Sequence, residues 1–179
     1  CEGHDRLHAF PVGAAMMRAA ASLIRPGVSL AVGLSALSGW LLATAGAPSV
    51  AAEGAAVMAG TFALSAAVSV LNQIQERHLD ALMERTRHRP IPRGAVSPSA
   101  ATFFAVLLAL AGFSLLLWLH GWTSALLGLL ALVWYNGFYT PLKRVSAFAV
   151  VPGSLIGAMP PAIGWTAAGG LLSDPAILA

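Results

Sequence analysis

Long apolar stretches separated by short polar segments make up most of this chain. Five of them are long enough to cross a hydrocarbon layer of about 30 Å as helices, since a helix rises about 1.5 Å per residue. They lie at about 27–45, 50–71, 100–119, 122–139 and 147–168. The pattern therefore predicts an all-α protein, a polytopic transmembrane helix bundle with about five spans.

Proline and glycine punctuate these spans. Pro26 suits the first turn of the first predicted helix, and His120 with Gly121 predicts a tight connection between the third and fourth spans. In the fifth span, Pro152 and the pair at 160–161 predict a bent or broken helix. A bundle tolerates such a helix when neighbouring helices satisfy the freed carbonyls.

Composition agrees with a membrane protein and excludes an ordinary soluble domain. Hydrophobic residues make up 58% of the chain and charged residues 9%, whereas soluble domains have about 25% charged residues. The mean hydropathy is +0.77. The single cysteine, Cys1, excludes an intrachain disulfide. Because the chain begins with this residue and not with Met, we expect a fragment or a processed form, and its first ten residues contain no signal-peptide h-region.

The basic residues predict how the bundle is oriented. All ten Lys and Arg lie in three polar segments, which five spans place on one side of the membrane. The other side carries Glu53, His120 and Asp174. This is the positive-inside pattern, so we expect the N-terminus to be cytoplasmic, by default at a bacterial inner membrane. The net charge of +3 is then a topology signal, and we expect no nucleic-acid binding.

The same reasoning divides the chain. Residues 1–24 are expected to form a cytoplasmic arm, and residues 25–179 a transmembrane domain. Within that domain, residues 72–99 are expected to form a cytoplasmic loop, because they carry five of the basic residues and lie between the second and third spans.

Polar side chains recur at every fourth residue where the second apolar stretch ends. They are Asn72, Glu76, Asp80 and Glu84. On a helix that continues out of the span they would lie along one face, drifting about 40° per step. Like charges at this spacing cost roughly 0.2–0.5 kcal/mol per pair, so the pattern favours a bound cation. Oxygen ligands suit Mg²⁺, which commonly bridges protein carboxylates to substrate phosphates.

An arginine-rich segment follows the acidic residues. Arg85, Arg87 and Arg89 lie in "RTRHRP", and guanidinium groups are good donors to phosphate oxygens. Together the two segments predict a metal–diphosphate site. The alternative is structural, because Arg77 could pair with Asp80 and arginine-rich loops often serve only to fix membrane topology.

Two motifs resemble a known family. The segment "NQIQERHLDALMERTRHRP" at 72–90 resembles the first acidic motif of the intramembrane UbiA prenyltransferase superfamily. The segment "WYNGFYTPLKRVSAFAVVPGSLIGAMPPAIGW" at 134–165 resembles a second motif, found in the protoheme IX farnesyltransferase (haem O synthase) branch. "IRPG" at 24–27 is a weaker match. Glu76, at a position where the quinone-precursor branch typically has Asp, also favours the haem branch.

The resemblance implies roles for particular residues. Asn72, Glu76 and Asp80 would hold Mg²⁺ on the diphosphate of farnesyl diphosphate. The implied cationic and substrate-binding residues are Arg25, Arg85, Arg89, Tyr139, Lys143 and Arg144. The cations among them would neutralise the leaving diphosphate or the propionates of the acceptor, and Tyr139 would lie beside them at the cytoplasmic end of the fourth span.

The implied reaction is transfer of a farnesyl group to a vinyl group of haem b, giving haem O in the lipid bilayer. Proteins of haem biosynthesis or cytochrome oxidase assembly are candidate partners. An aromatic or quinone-precursor acceptor remains as an alternative, and so does a non-enzymatic membrane protein. The histidines are candidate haem ligands, but their places in the charged segment and in a turn favour solvated or hydrogen-bonding roles.

The chain also departs from the family pattern. The family has about nine spans and a second aspartate-rich motif in its later half, whereas the aspartate that follows Asp80 in this sequence is Asp174. We therefore expect the chain to be the N-terminal portion of a prenyltransferase, about half of the nine-helix bundle. By itself it is expected to lack full catalytic competence.

Overall fold

A computed structural model describes residues 12–45 and 51–175 of the chain. The described residues contain helices and no strands, which confirms the all-α prediction. The elements are α1 (Val12–Ile24), α2 (Pro26–Ala43), α3 (Ala51–Leu82), α4 (Pro98–Val133), a π-helical turn (Trp134–Tyr139), α5 (Thr140–Leu142), a 3₁₀ turn (Ala147–Ala149) and α6 (Val150–Ala167).

Three stretches of helix are long and apolar enough to cross a membrane. They are Pro26–Ala43, Ala51–Leu82 and Pro98–Leu142. The last has 45 residues, far more than one crossing needs, and the chain reverses inside it. The 18-residue α6, rich in proline and glycine, is not among the three, although it packs on α2 and α4. The prediction of a polytopic transmembrane bundle is confirmed, and its count of about five spans is approximate.

The reversal within Pro98–Leu142 occurs at Gly121. Its φ of 82° and ψ of −177° lie in a region that is essentially restricted to glycine. Leu116 and Ala125, on either side of this residue, join one apolar cluster with Leu64 of α3. A Cβ added to Gly128 would lie 3.2 Å from Leu116, whereas twelve residues of straight helix span about 18 Å. The two arms of α4 therefore form a helical hairpin, as predicted.

Helices α2 and α6 pack against each other with their backbones in contact. A Cβ added to Gly164 would overlap the carbonyl oxygen of Ala36, and a Cβ added to Gly39 would overlap that of Pro161. Helix α6 continues through Pro160 and Pro161, so of the two predicted outcomes, a bent or a broken helix, the break does not occur. The prolines remove two backbone donors, but the packing against α2 keeps the segment helical.

The described part of the predicted arm, residues 12–24, and the predicted loop at 72–99 both pack against the transmembrane helices. Leu23, near the end of α1, packs with Val70 of α3 and Ile91 of the loop. Gln73 is fully buried, and its Nε2 donates to the carbonyl oxygen of Leu23 at 2.7 Å. Helix α3 extends into the predicted loop as far as Leu82. Residues 1–11 lie outside the described part of the chain.

Candidate functional site

A polar cavity of about 260 Å³ lies where α3 ends. The end of α3, the start of α2, the loop and the segment after α4 all contribute to its wall. The lining residues are Arg25, Asn72, Glu76, Leu79, Asp80, Met83, Arg85, Thr86, Arg89, Tyr135 and Lys143. Seven of these were predicted as site residues from the sequence, and the fold brings them together.

The acidic face of α3 forms one wall of this cavity. Asn72 is buried and donates from Nδ2 to Oε2 of Glu76 at 2.8 Å. Asp80 is 4% exposed. Glu84 was expected on this face but does not join it, because the helix ends at Leu82. Its exposed carboxylate instead lies 3.6 Å from Arg87.

The carboxylates of Asp80 and Glu76 are each paired with a cation from another segment. Nη1 of Arg89 lies 2.6 Å from Oδ2 of Asp80, and Nζ of Lys143 lies 3.0 Å from Oε1 of Glu76. The Lys143 ammonium also donates to Oδ1 of Asn72 at 3.2 Å. Arg77 donates to the carbonyl oxygen of Ile74 instead. The described residues therefore do not contain the Arg77–Asp80 pair of the structural alternative.

The oxygen donors fit a hard cation that is shared with a substrate. Asn72, Glu76 and Asp80 supply amide and carboxylate oxygens to one cavity. Within residues 12–45 and 51–175, no group of three or more His, Cys, Asp and Glu side chains is placed to hold a metal alone. Mg²⁺ typically binds one or two carboxylates together with substrate phosphates, so this donor set suits a metal–diphosphate unit better than a permanent metal.

A π-helical turn supplies residues that the sequence reasoning missed. Tyr135 lies in this turn and lines the cavity, while Thr140, directly after it, donates to Oδ1 of Asn72 at 3.2 Å. Such turns occur frequently at functional sites. The ring of the predicted Tyr139 lies 5.2 Å from that of Tyr135, and the Lys143 ammonium lies over both rings at 5.6 and 5.9 Å.

Two of the predicted residues lie beside the cavity and do not line it. Tyr139 supports Tyr135, as described. Arg144 donates to the carbonyl oxygen of Gln75 at 3.2 Å, and its guanidinium lies 3.9 Å from Glu76. Arg144 therefore reaches the site from the rim, whereas Lys143 enters it.

Among the histidines, His120 lies at the opposite end of the bundle. Its Nδ1 is 3.3 Å from the carbonyl oxygen of Ala167, so it contacts the fold through a hydrogen bond, as expected. His78 and His88 are exposed.

Arg25 joins the polar cavity to a second, apolar one. That chamber has a volume of about 120 Å³ and shares Arg25, Asn72 and Tyr135 with the polar cavity. Its remaining lining residues are Val28, Val32, Thr61, Leu64, Ser65, Val68, Ser69, Gly128, Ala131, Leu132, Ile156, Pro160 and Ile163. The site therefore has a charged mouth that leads into an apolar interior between four helices.

Arg25 adopts a backbone conformation that arginine rarely takes. Its φ is 48° and its ψ is 67°, the left-handed region that costs an L-residue about 1–2 kcal/mol. Strain of this kind persists where the surrounding structure imposes it, often at binding sites.

Replacing Arg25 with glycine is expected to raise stability by about 1 kcal/mol, because glycine adopts this conformation without strain. The same change should weaken binding of a diphosphate, since the mouth loses a cation. Thermal unfolding in detergent and isothermal titration with inorganic diphosphate measure the two effects. Arg25→Ala is the matched control, because it removes the charge but keeps the strain. Equal stability of the two variants would contradict the prediction.

Comparison with known proteins is decisive for the family. Residues 32–179 match the sequence profile of the UbiA prenyltransferase family. The chain belongs to this family. As a UbiA family member with several apolar helices, it is an integral membrane protein, and the resemblance of its two motifs is confirmed.

Curated relatives of this UbiA family chain include proteins named protoheme IX farnesyltransferase. The one from Oleidesulfovibrio alaskensis is 44% identical over 162 residues, which cover 90% of this chain and 56% of that protein. The one from Geobacter sulfurreducens is 45% identical over 157 residues, covering 87% and 56%. The chain thus spans about half the length of the curated relatives it matches.

A solved structure shares the fold. It is described as giving insights into digeranylgeranylglyceryl phosphate synthase in membranes, and it matches with a TM-score of 0.72 at 20% identity. The match covers 87% of this chain and 53% of that one. The described helices of this chain therefore share the fold of that structure.

Proposed function

We propose that the protein transfers a farnesyl group from farnesyl diphosphate to a vinyl group of haem b, which gives haem O. The observation that carries the proposal is a mouth of paired acids and cations that opens directly into an apolar chamber. The names of the curated relatives support this donor and this acceptor.

The two cavities match the two ends of a prenyl diphosphate. Diphosphate is a polyanion, and the mouth holds Arg25, Arg85, Arg89 and Lys143. The isoprenoid chain is apolar, and the chamber walls are mainly aliphatic. The reacting C–O bond then lies where the cavities meet, near Asn72 and Tyr135. Asn72 is 3% exposed at this position, and fixed charges close to a buried group act strongly on a departing diphosphate.

Asn72, Glu76 and Asp80 would hold Mg²⁺, which neutralises charge that develops on the diphosphate as the C–O bond breaks. Arg89 and Lys143 already lie on the carboxylates of Asp80 and Glu76. They are therefore placed to hold the phosphate oxygens next to the acidic face. Arg85 at the mouth and Arg144 at the rim would bind the outer oxygens or the propionates of the acceptor.

The chain's own residues thus bind, orient and screen the reactants. The C–O bond of farnesyl diphosphate breaks and its electron pair leaves with the diphosphate. The vinyl π electrons form the new C–C bond, and water adds to the resulting cation and loses a proton. Tyr135 and Tyr139 present their ring faces to the Lys143 ammonium, which stabilises this cation at the mouth.

We further propose that the transmembrane domain covers residues 25–179 and that residues 1–24 lead into it from the cytoplasm. The mouth then faces the cytoplasmic side of a bacterial inner membrane. The segregation of charge supports this orientation, since the cations gather at the mouth and the His120 tip of the α4 hairpin lies at the opposite end of the bundle. Proteins of haem biosynthesis or cytochrome oxidase assembly are proposed partners.

Product analysis tests the acceptor. The complete gene product that carries these residues, reconstituted in liposomes with farnesyl diphosphate, haem b and Mg²⁺, is expected to form haem O. The product is identified by mass spectrometry. A parallel reaction offers a phenolic quinone precursor in place of haem. If a prenylated phenol formed and prenylated haem did not, the acceptor would be the aromatic compound and not haem. If neither product formed, prenyl transfer to these acceptors would be refuted.

A further inference from the structure

The hydroxyl of Thr140 bonds to another helix and not to its own. Helical Ser and Thr side chains commonly donate to the carbonyl oxygen four residues earlier, as Ser124 does to His120. Thr140 is 1% exposed, and its Oγ1 donates to Oδ1 of Asn72 on α3, at 3.2 Å. A hydroxyl group has one hydrogen to donate, so the bond between helices replaces the local one.

The carbonyl group that Thr140 leaves free is bound by a side chain of α3. In the π-helical turn, the backbone N–H of Thr140 donates to the carbonyl oxygen of Tyr135, five residues earlier. The next residue, Pro141, has no N–H to continue this pattern. Nε2 of Gln75 donates to the carbonyl oxygen of Asn136 instead, at 3.1 Å. Gln75 thus binds the carbonyl that Thr140 would otherwise use, and the Thr140 hydroxyl is directed to α3.

Two donors converge on the side-chain oxygen of Asn72. Its Oδ1 accepts from Thr140 and from the Lys143 ammonium, each at 3.2 Å, while its Nδ2 donates to Glu76 at 2.8 Å. The ammonium requires an oxygen at this place, because an amide nitrogen would face it with hydrogens of its own. The same ammonium lies 3.0 Å from Oε1 of Glu76. The oxygens of Asn72 and Glu76 therefore face one cation.

The two donors on Asn72 differ in how firmly they are held. Lys143 reaches the amide over a flexible stem, and its side chain is 26% exposed. Thr140 has a short side chain and is buried. In the proposed function, Lys143 turns to the phosphate oxygens, which leaves the oxygens of Asn72 and Glu76 to hold Mg²⁺. Thr140 is then the donor that stays on Asn72.

We propose that Thr140 is a positioning residue, which keeps the oxygen of the Asn72 amide toward the metal, and that Gln75 keeps Thr140 in place. This role rests on the proposed function, in which Asn72 holds Mg²⁺. An amide that turned over would present N–H groups to the metal, and these cannot act as ligands. Hydrogen bonds from an outer shell of residues commonly orient metal ligands in this way.

The test compares two substitutions at one position. Thr140→Val keeps the shape of the side chain and removes the hydroxyl, whereas Thr140→Ser keeps the hydroxyl and removes a methyl group. The matched control is Thr166→Val on α6, a buried residue whose hydroxyl donates to Ala162 of its own helix. Gln75→Met removes the amide that binds the π-helical turn and is the second variant.

Metal binding is measured directly. Mn²⁺ binds the same kinds of oxygen ligands as Mg²⁺, and electron paramagnetic resonance counts free Mn²⁺ in a titration. The complete gene product in detergent is titrated in the presence of inorganic diphosphate. A separate assay in liposomes with farnesyl diphosphate and haem b gives the Mg²⁺ concentration at half-maximal formation of haem O.

Thr140→Val is expected to weaken Mn²⁺ binding roughly tenfold, the lower end of the effect of losing an outer-shell partner. The Mg²⁺ concentration at half-maximal rate should rise by the same factor, and saturating Mg²⁺ should restore most of the rate. Thr140→Ser and the control Thr166→Val should bind Mn²⁺ as the wild type does. Gln75→Met should weaken binding in the same direction but less.

Wild-type affinity for Mn²⁺ in Thr140→Val would overturn the inference. Equal losses in Thr140→Val and Thr140→Ser would also overturn it, because a packing role needs the methyl group and a positioning role needs the hydroxyl. If Thr140→Val did not fold, Gln75→Met would decide, and an unchanged affinity in that variant would refute the role of Thr140.

The wild-type protein separates this role from the proposed function. Failure of the wild type to bind Mn²⁺ with diphosphate would refute the metal–diphosphate site, and the role of Thr140 with it. Wild-type protein that binds Mn²⁺ but forms no haem O would refute the proposed reaction, while the effect of Thr140→Val on Mn²⁺ binding would still support the positioning role.

Discussion

Asp80→Asn is expected to lower prenyl transfer by roughly a hundredfold or more, the size of effect seen when one group that stabilises developing charge is removed. The carboxylate is 4% exposed and lies 2.6 Å from Arg89 in the wall of the polar cavity. The amide keeps the shape but removes the negative charge, so the site loses a proposed metal ligand and Arg89 loses its ionic partner. Initial rates of haem O formation in liposomes measure the loss.

Glu84→Gln is the matched control for Asp80→Asn. It removes a carboxylate four residues later in the chain, but Glu84 is exposed and lies outside the residues that line the cavity. Its activity should stay within about twofold of wild type, as for a surface pair. Both variants should insert into the membrane in equal amounts. Wild-type rates in Asp80→Asn would refute the assigned role of the acidic face.

Gly164→Ala is expected to destabilise the bundle by about 3 kcal/mol or more, because the added methyl group collides with backbone. A Cβ at this position overlaps the carbonyl oxygen of Ala36 and lies 2.7 Å from the backbone nitrogen of Trp40. Neither atom belongs to a flexible side chain, so α2 and α6 must separate to admit it. Thermal unfolding of the purified protein in detergent measures the effect.

Gly157 offers a control on the same helix. A Cβ there would meet nothing within 4 Å among the described residues. Gly157→Ala should be neutral or slightly stabilising, since alanine has the higher helix propensity. If the two alanine variants unfolded at the same temperature, the close contact between α2 and α6 would not exist in the membrane protein.

The acidic face was predictable because it depends on one number, the helical repeat. Once α3 is known to continue past the apolar stretch, residues 72, 76 and 80 must lie on one side. The partner of Asp80 was not predictable in this way. Arg77 is nearer in sequence, but Arg89 reaches the carboxylate because the loop folds back, with Thr86 bonded to the carbonyl oxygen of Asp80 at 3.0 Å.

The apolar chamber and its tyrosine lay beyond the sequence pattern. The chamber has walls from α2, α3, α4 and α6, so it depends on how four helices pack. Tyr135 stood in a quoted motif, yet a regular helix and a π turn orient the following residues differently. Tyr139 was predicted as a site residue from the family resemblance, which did not single out Tyr135 or Thr140. The sequence pattern also did not show that α6 stays helical through Pro160 and Pro161, since this depends on how α6 packs against α2.

The reversal at Gly121 bears on how the protein is assembled. Because the two arms of α4 are joined without a polar connecting segment, they can enter the bilayer together as a pair. Little hydrophilic chain then has to be translocated, and His120 at the tip finds its partner on α6, at the carbonyl oxygen of Ala167. Helix α6 thus supplies a hydrogen-bond partner to Nδ1 of His120 at the tip of the hairpin.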